Sequence, residues 1–405
     1  MKTNKIFICL LIFVFFSCSR ESNRLQKHNL YIHNEVECNF LIYMAADNNL
    51  ERFGIQNIKA LQEVGSPKNT NIIVLFDRSG GYDRTEGNWS NTKLFLISKN
   101  PKNMNDDCIY DYEELDMTSS DTLYNFLEFT NKYFPAKHTI LDLWSHGRGV
   151  YPDGIISRSV IEDYTTGYGS DYMMSVQNLA KCLKKYEDKN NKRIEILLFD
   201  ACYMQMIEIS YQLRMFVDYI IGAESSVSGV GCNYKTIASF FNDKFTMKEL
   251  ATFLVRCISQ TSIDYSYSGI ETVTLNEFIT LFNHFCMELI NIPDAYYYEI
   301  IKKRKEMSKI APIYPEFVDL YELISGIDKI NGQNELLQKI TELIINSNSI
   351  GIYKDITKGL GINFPYEKNE VNYYKTENSD YEILDFYNDT YFDEFLLKLW
   401  SVCLQ

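Results

Sequence analysis

The chain has 405 residues, 46% of them apolar, with 40 basic and 54 acidic side chains and a formal net charge of −14. That length and apolar content can fill one large core or two modest ones. The acidic balance excludes a nucleic-acid binder, which needs clustered Lys and Arg against phosphate, and no stretch after the N-terminal leader approaches the ~18 uninterrupted apolar residues of a spanning helix.

Residues 1–18 read as a leader. Lys2 and Lys5 form a positive start, Ile6 to Phe16 an apolar run too short to cross a bilayer, and Ser17 precedes Cys18. The pattern resembles a bacterial lipoprotein signal, in which Cys18 is lipidated and becomes the mature N-terminus, although Phe15 and Phe16 depart from the usual Leu and small residue. The alternative is an ordinary cleaved signal with an incidental Cys18. Both readings export the protein, with residues 19–38 as a polar tether.

Residues 39–247 alternate strands and helices. Phe40 to Ala45 reads as a strand, Asp47-Asn48-Asn49-Leu50-Glu51 as a helix start with an amphipathic stretch to Val64, and Asn71 to Asp77 as the next strand. Trp89 to Ile97 is a candidate further strand, and Thr118 to Phe134 a helix with Ser119, Ser120 and Asp121 as possible caps. Thr139 to Trp144 and Ile194 to Phe199 are apolar runs typical of buried parallel strands, with a helix Ser175 to Lys185 between them and another, Tyr203 to Arg214, after the second. Tyr219 to Glu224 is a last short strand before a Ser/Gly loop, Ser225 to Gly231. Repeated βα units predict a mostly parallel sheet covered by helices. Residues 248–405 read as a largely helical subdomain, with Gly359 to Pro365 as a strand returning to the core and Asp393 to Leu399 as a closing helix.

Beyond Cys9 and Cys18 there are eight cysteines, at 38, 108, 182, 202, 232, 257, 286 and 403, without CxxC or regular spacing. Buried free thiols are expected. The five histidines, at 28, 33, 138, 146 and 284, form no structural zinc pattern with them.

The chemistry concentrates in two segments, LDLWSHGRG with His146 and ILLFDACYM with Cys202. Each delivers a reactive side chain directly after an apolar strand, where open α/β sheets carry their sites. A cysteine in a strand is usually core packing, but the predicted helix from Tyr203 would put Cys202 at a helix N-terminus, which favours thiolate. His146 precedes Gly147, and a glycine there would let a substrate carbonyl approach and let the Gly147 and Cys202 N–H groups bind an oxyanion. Read alone, His146 is a loop histidine before a glycine-rich turn. Together the two segments are a nucleophile and its acid/base, at the spacing described for caspase-type cysteine peptidases.

With Ser145-His146-Gly147, Asp200-Ala201-Cys202-Tyr203-Met204 with Glu208 beyond it, Tyr43-Met44-Ala45-Ala46-Asp47-Asn48-Asn49-Leu50 and the late Gly361-Ile362-Asn363-Phe364-Pro365 followed by Phe392-Asp393-Glu394-Phe395-Leu396, the chain resembles the clostripain family of cysteine peptidases over about residues 39–400. The resemblance implies a caspase-like α/β/α sandwich and endopeptidase action after basic residues, with Cys202 as nucleophile and His146 as general acid/base. It implies Asp200 as the acid that pairs with a basic P1 side chain, against the alternative of a carboxylate capping the next helix. The loop that helps wall the S1 pocket keeps Gly229, Gly231 and Tyr234 but replaces the family's Pro and Trp, which puts the P1 preference in doubt. Glu224 before it is either a second pocket carboxylate or a structural hydrogen-bond partner. Some relatives mature by cleaving the loop after the histidine, here 149–172, where Arg158 is the candidate processing site. Ca²⁺ is a possible cofactor, with Asp153, Glu162, Asp163 and Asp171 as loop acids of no EF-hand spacing.

The expected protein is thus an exported, lipid-anchored monomer acting on protein or peptide, with no nucleic-acid partner. Two competing readings use the same fold: a non-catalytic lipoprotein that binds peptides or surface polymers, and an amidase or transpeptidase acting on cell-wall peptides.

Overall fold

A computed structural model describes residues 32–150, 158–167, 172–258, 263–307, 316–327, 330–365 and 384–403. In chain order the strands are β1 (Val36–Ala46), β2 (Thr70–Arg78), β3 (Thr92–Leu96), β4 (Cys108–Asp111), β5 (Ala136–Trp144), β6 (Arg158–Glu162), β7 (Met173–Ser175), β8 (Ile194–Asp200) and β9 (Val217–Ala223). They are followed by β10 (Tyr265–Glu271), β11 (Phe317–Asp319), β12 (Ile344–Ile350) and β13 (Gly361–Asn363). A nine-stranded sheet runs in the order β12-β10-β9-β8-β5-β1-β2-β3-β4. Its centre, from β9 to β2, is parallel, and both flanks are antiparallel.

Strand β1 shows how the sandwich is built. Its alternate residues Leu41, Tyr43 and Ala45 enter one core, and Phe40, Ile42, Met44 and Ala46 enter the other. That is the period-2 consequence of a strand buried on both faces. Helices α1 (Glu51–Val64), α2 (Ser120–Tyr133), α3 (Val176–Asn190), α4 (Ile207–Leu213), α5 (Tyr234–Phe240) and α6 (Met247–Leu254) supply the covering layers. Ile55, Ile58 and Leu61 of α1 share the Phe40 face with Ile237 of α5 and Leu250 of α6, while Leu123 and Leu127 of α2, Leu179 and Leu183 of α3 and Ile209 of α4 lie on the Leu41 face. Each such side chain contributes about 1.5–3 kcal/mol by leaving water. The expected α/β/α sandwich is what forms.

Chain direction sets where chemistry can sit. From β1 the chain moves to β2 on one side, then returns to β5, β8 and β9 on the other. The crevice at this switch point opens at the carboxyl ends of β1 and β5, beside β8.

Three expectations change. The region beyond 247 is not only helical, because β10 and β12 extend the central sheet, so the sheet crosses the boundary placed at 247/248. The late strand β13 does not enter that sheet; it pairs with β11, and Gly361 bridges to Met206 just beyond Cys202. The helix expected from Tyr203 begins only at Ile207. Among the described residues no helix is long and apolar enough to cross a membrane, and the eight cysteines from Cys38 to Cys403 are free. The leader and Cys18 lie outside the described residues.

Candidate active site

Strand β8 ends at Asp200 and the chain turns sharply through Ala201, Cys202 and Tyr203. Tyr203 adopts φ +60°, a left-handed conformation that a bulky side chain rarely takes. The strain is held by two backbone bonds from neighbouring β9 and its loop: Tyr203 N–H donates to Ser225 O at 3.0 Å and Gln205 N–H to Ala223 O at 3.0 Å. Cys202 is thereby lifted, half-buried, off the strand end. Its Sγ accepts the Val227 N–H at 3.2 Å and lies 3.7 Å from Val227 O.

This geometry removes the helix-terminus argument for a thiolate, since a turn separates Cys202 from α4. Burial pushes the Cys202 thiol above its ordinary 9.0, against the Val227 N–H and with help from the Asp200 charge. Activation therefore has to come from a base.

His146 stands at the end of β5, and its Nε2–H donates to Asn49 Oδ1 at 2.7 Å. That bond orients the ring and leaves Nδ1 with the lone pair a base needs. Glu162 Oε2 is 3.8 Å from Nε2, and Glu162 Oε1 is 3.5 Å from Arg148 Nη2. Burial lowers the imidazole below 6.5; Glu162 opposes this and Arg148 adds to it. The ring is neutral at neutral pH.

Backbone packing joins the two loops. A Cβ on Gly147 would fall 2.3 Å from Cys202 O and 3.0 Å from Ala201 Cβ and Met204 Cγ. Glycine there admits the Cys202 carbonyl. Neither the Gly147 nor the Cys202 N–H has a backbone acceptor among the described residues. Asn48 and Ser145 complete the frame: Asn48 Nδ2 donates to Ala45 O at 3.1 Å and Glu162 O at 2.9 Å, Ser145 Oγ donates to Ala45 O at 3.0 Å, and Glu162 N–H donates to Ser145 Oγ at 3.2 Å.

Asp200 lies 6% exposed behind the nucleophile turn. Its Oδ2 accepts the Cys232 N–H at 2.9 Å and the Tyr234 O–H at 3.0 Å, and burial pushes it up to about 6. Gly231 covers it at φ +60°, where a Cβ would sit 2.4 Å from Asp200 Oδ2, and Gly229 packs where a Cβ would meet Phe53 at 2.6 Å. The Ser225–Gly231 loop thus closes over Asp200 because it has glycine at the two tight points. Asp200 caps no helix here. Glu224 turns elsewhere: its Oε2 accepts Ser266 Oγ–H and Gly359 N–H, each at 2.9 Å, and the nearby Asp319 raises its pKa beyond what burial does. It fills the structural role of its two readings.

Arg158 opens β6 opposite Ser175 of β7. Of the four loop acids, Asp153 and Asp171 lie outside the described residues. Glu162 faces His146 and Arg148, while Asp163 turns toward Asp47, Asp77 and Glu114. The residue that sequence reading did not connect to His146 is Asn49; its signal was its position just past the end of β1, at the switch point.

Comparison with known proteins places the chain in a family. The clostripain family pattern matches residues 42–400. Clostripain of Hathewaya histolytica is 27% identical over 222 residues, covering 49% of this chain and 40% of that protein, so the match spans under half of the relative's length. Among solved structures, the inactive zymogen of a C11 protease from Parabacteroides distasonis superposes with a TM-score of 0.68 at 22% identity, over 89% of this chain and 99% of that one. A secreted C11 cysteine protease from Bacteroides thetaiotaomicron, solved with an irreversible peptide inhibitor, gives 0.64 at 20% identity over 87% and 99%. At these identities the likeness establishes the fold.

Proposed function

The chain belongs to the clostripain family of cysteine peptidases, and from that premise we propose that it is an exported endopeptidase cleaving after Arg or Lys through a His146/Cys202 dyad. The observation that carries the reading is the close approach of Gly147 to the Cys202 carbonyl, with His146 oriented by Asn49. A half-buried thiol with a raised pKa and an imidazole held below its ordinary value suit a concerted route. His146 takes the Cys202 proton as Sγ attacks the scissile carbonyl. The tetrahedral oxyanion lies against the Gly147 and Cys202 N–H groups. His146 then gives the proton to the leaving amine as the C–N bond breaks, leaving a thioester on Cys202. Water, deprotonated by His146, attacks the thioester and releases the acid and the thiol.

Asp200, beneath the Ser225–Gly231 loop, is the proposed partner of the basic P1 side chain; Glu224, whose Oε2 accepts from Ser266 and Gly359, is proposed as a structural acid. Arg158 is the proposed processing site, and the leader with Cys18 the proposed route to the cell envelope, with lipid as the only membrane anchor.

The test is intact-mass analysis after exposure to a peptidyl-Lys chloromethyl ketone, run with hydrolysis of a peptidyl-Lys amide. One adduct and turnover, both absent in Cys202→Ala, are expected. Turnover unchanged in Cys202→Ala would remove the dyad.

A further inference from the structure

We infer that Asp47, Asp77, Glu114 and Asp163 form a binding site for one hard divalent cation of the Ca²⁺ type, beside the catalytic loops. One oxygen from each carboxylate lies within 4.8 Å of the others. That is roughly twice a Ca–O distance of about 2.3–2.6 Å, the largest separation for oxygens sharing one ion. The four come from distant parts of the sequence: the ends of β1 and β2, the segment before α2, and the residue after β6.

An independent observation points at the ligand. Asp77 is fully buried; its Oδ1 accepts the Thr92 O–H at 2.8 Å, and its Oδ2 has no hydrogen-bond partner. A carboxylate oxygen held dry and unpartnered is costly unless a positive charge meets it. None of the side chains around it supplies one. Arg78, next in sequence, is committed to Glu51 at 2.7 Å, and no Lys or Arg pairs with the four acids among the described residues. The other carboxylates are already aimed by the fold: Asp163 Oδ2 accepts the Met117 N–H at 2.9 Å, Asp163 Oδ1 the Thr165 N–H at 3.0 Å, and Asp47 Oδ2 the Thr165 N–H at 2.9 Å. Without a counter-charge, burial first and then the neighbouring carboxylates drive Asp77 upward, Glu114 to about 7 and Asp163 to about 6.

The donor set selects the ion. With oxygen alone and no His or Cys, it does not suit zinc. Four carboxylates converging from four segments suit the flexible, carboxylate-rich shell of Ca²⁺ better than the strict octahedron of Mg²⁺, which keeps several waters. Glu114 is exposed and gives the ion its way in. Asp47 stands just before Asn48 and Asn49, and Asp163 just after Glu162, so the ion would tie together the two segments that face His146.

The experiment uses the full chain carrying Cys202→Ala, stripped with EDTA, with CaCl₂ and in parallel MgCl₂ as probes, read by calorimetry and thermal unfolding. We expect one Ca²⁺ per chain with Kd below about 1 mM, a rise in Tm on adding Ca²⁺, and weaker binding of Mg²⁺. Asp77→Asn keeps the size and can still accept from Thr92; it should unfold in EDTA at the same or a higher temperature than its parent, yet bind Ca²⁺ at least ~10-fold more weakly. Exposed Glu114→Gln, which leaves the buried hydrogen bonds intact, should also weaken binding. No saturable heat and no Tm shift up to about 10 mM CaCl₂, or equal affinity in the parent and Glu114→Gln, would overturn the site. Because the inactive protein is used throughout, the result does not depend on whether the peptidase reading holds.

Discussion

Asn49 Oδ1 accepts the His146 Nε2–H at 2.7 Å across the crevice between β1 and β5. The bond selects the tautomer with a free Nδ1 and fixes the ring plane, so its loss should act on the chemical step. Asn49→Ala is expected to lower kcat by about 10–100-fold with KM little changed. Asn49→Asp keeps an acceptor and adds a charge beside the ring, so it should retain more of kcat and move the acid limb of the pH–rate profile upward. Steady-state kinetics on a peptidyl-Lys amide across pH would separate the two; an unchanged kcat in Asn49→Ala would end the positioning role.

Activity should persist into mildly acid solution. Burial holds His146 below 6.5, so the neutral base survives as pH falls past that value, and the acid-side inflection of kcat is expected below 6.5. The same shift bears on stability. The folded state binds the His146 proton less tightly than the unfolded chain, so this contribution is present above 6.5 and is lost as pH falls through the depressed value. The kcat profile of the processed enzyme with saturating substrate checks it, and an inflection above 6.5 would contradict the burial argument.

Recognition of a basic P1 side chain should carry its own pH signature. Asp200 is pushed up to about 6, and only its ionised form pairs with Lys or Arg. KM for such substrates is therefore expected to rise as pH falls through about 6. Asp200→Asn retains an acceptor for Cys232 N–H and Tyr234 O–H, but should cost about 2–5 kcal/mol of substrate discrimination in kcat/KM, the range for a broken buried charge pair. Equal kcat/KM for Lys and norleucine at P1 in the wild-type enzyme would remove this role from Asp200.

What the sequence made legible followed from strong local signals. His146 and Cys202 each trail an unbroken apolar strand, so their arrival at one sheet edge could be read from topology alone. The turn after Cys202 could not: Tyr203 to Met206 continue an apolar pattern that looks helical, and nothing in a tyrosine announces φ +60°. Strands β10 and β12 escaped notice because Tyr-Ser-Tyr-Ser and Asn-Ser-Asn-Ser lack an apolar run; the first alternates as a half-buried strand would, yet β10 is buried on both faces. Asn49 was hidden by the ordinary meaning of asparagine near a helix start, a cap. The convergence of Asp47, Asp77, Glu114 and Asp163 depends on which strand ends are neighbours, and that is a property of the whole sheet.

The C-terminal segment is docked through a buried acid whose protonation should be measurable. Glu208 on α4 is fully buried, and its Oε1 accepts the Asn363 N–H at 2.8 Å and the Tyr387 O–H at 3.4 Å, tying β13 and the helix Asp385–Asp389 to the element that follows the nucleophile turn. Burial raises it from 4.5 to about 7, with the two hydrogen bonds opposing. The folded state then holds the proton more tightly than the unfolded chain. Its stabilising contribution is complete below 4.5 and is lost as pH rises through about 7, a difference on the order of 3 kcal/mol. Glu208→Gln removes the titration while keeping an acceptor for Asn363. The variant should match the wild-type protein near pH 4.5 and exceed it in thermal stability at pH 8. Unfolding followed by circular dichroism at both pH values tests this, and parallel pH dependences in the two proteins would show that Glu208 remains charged in its buried site.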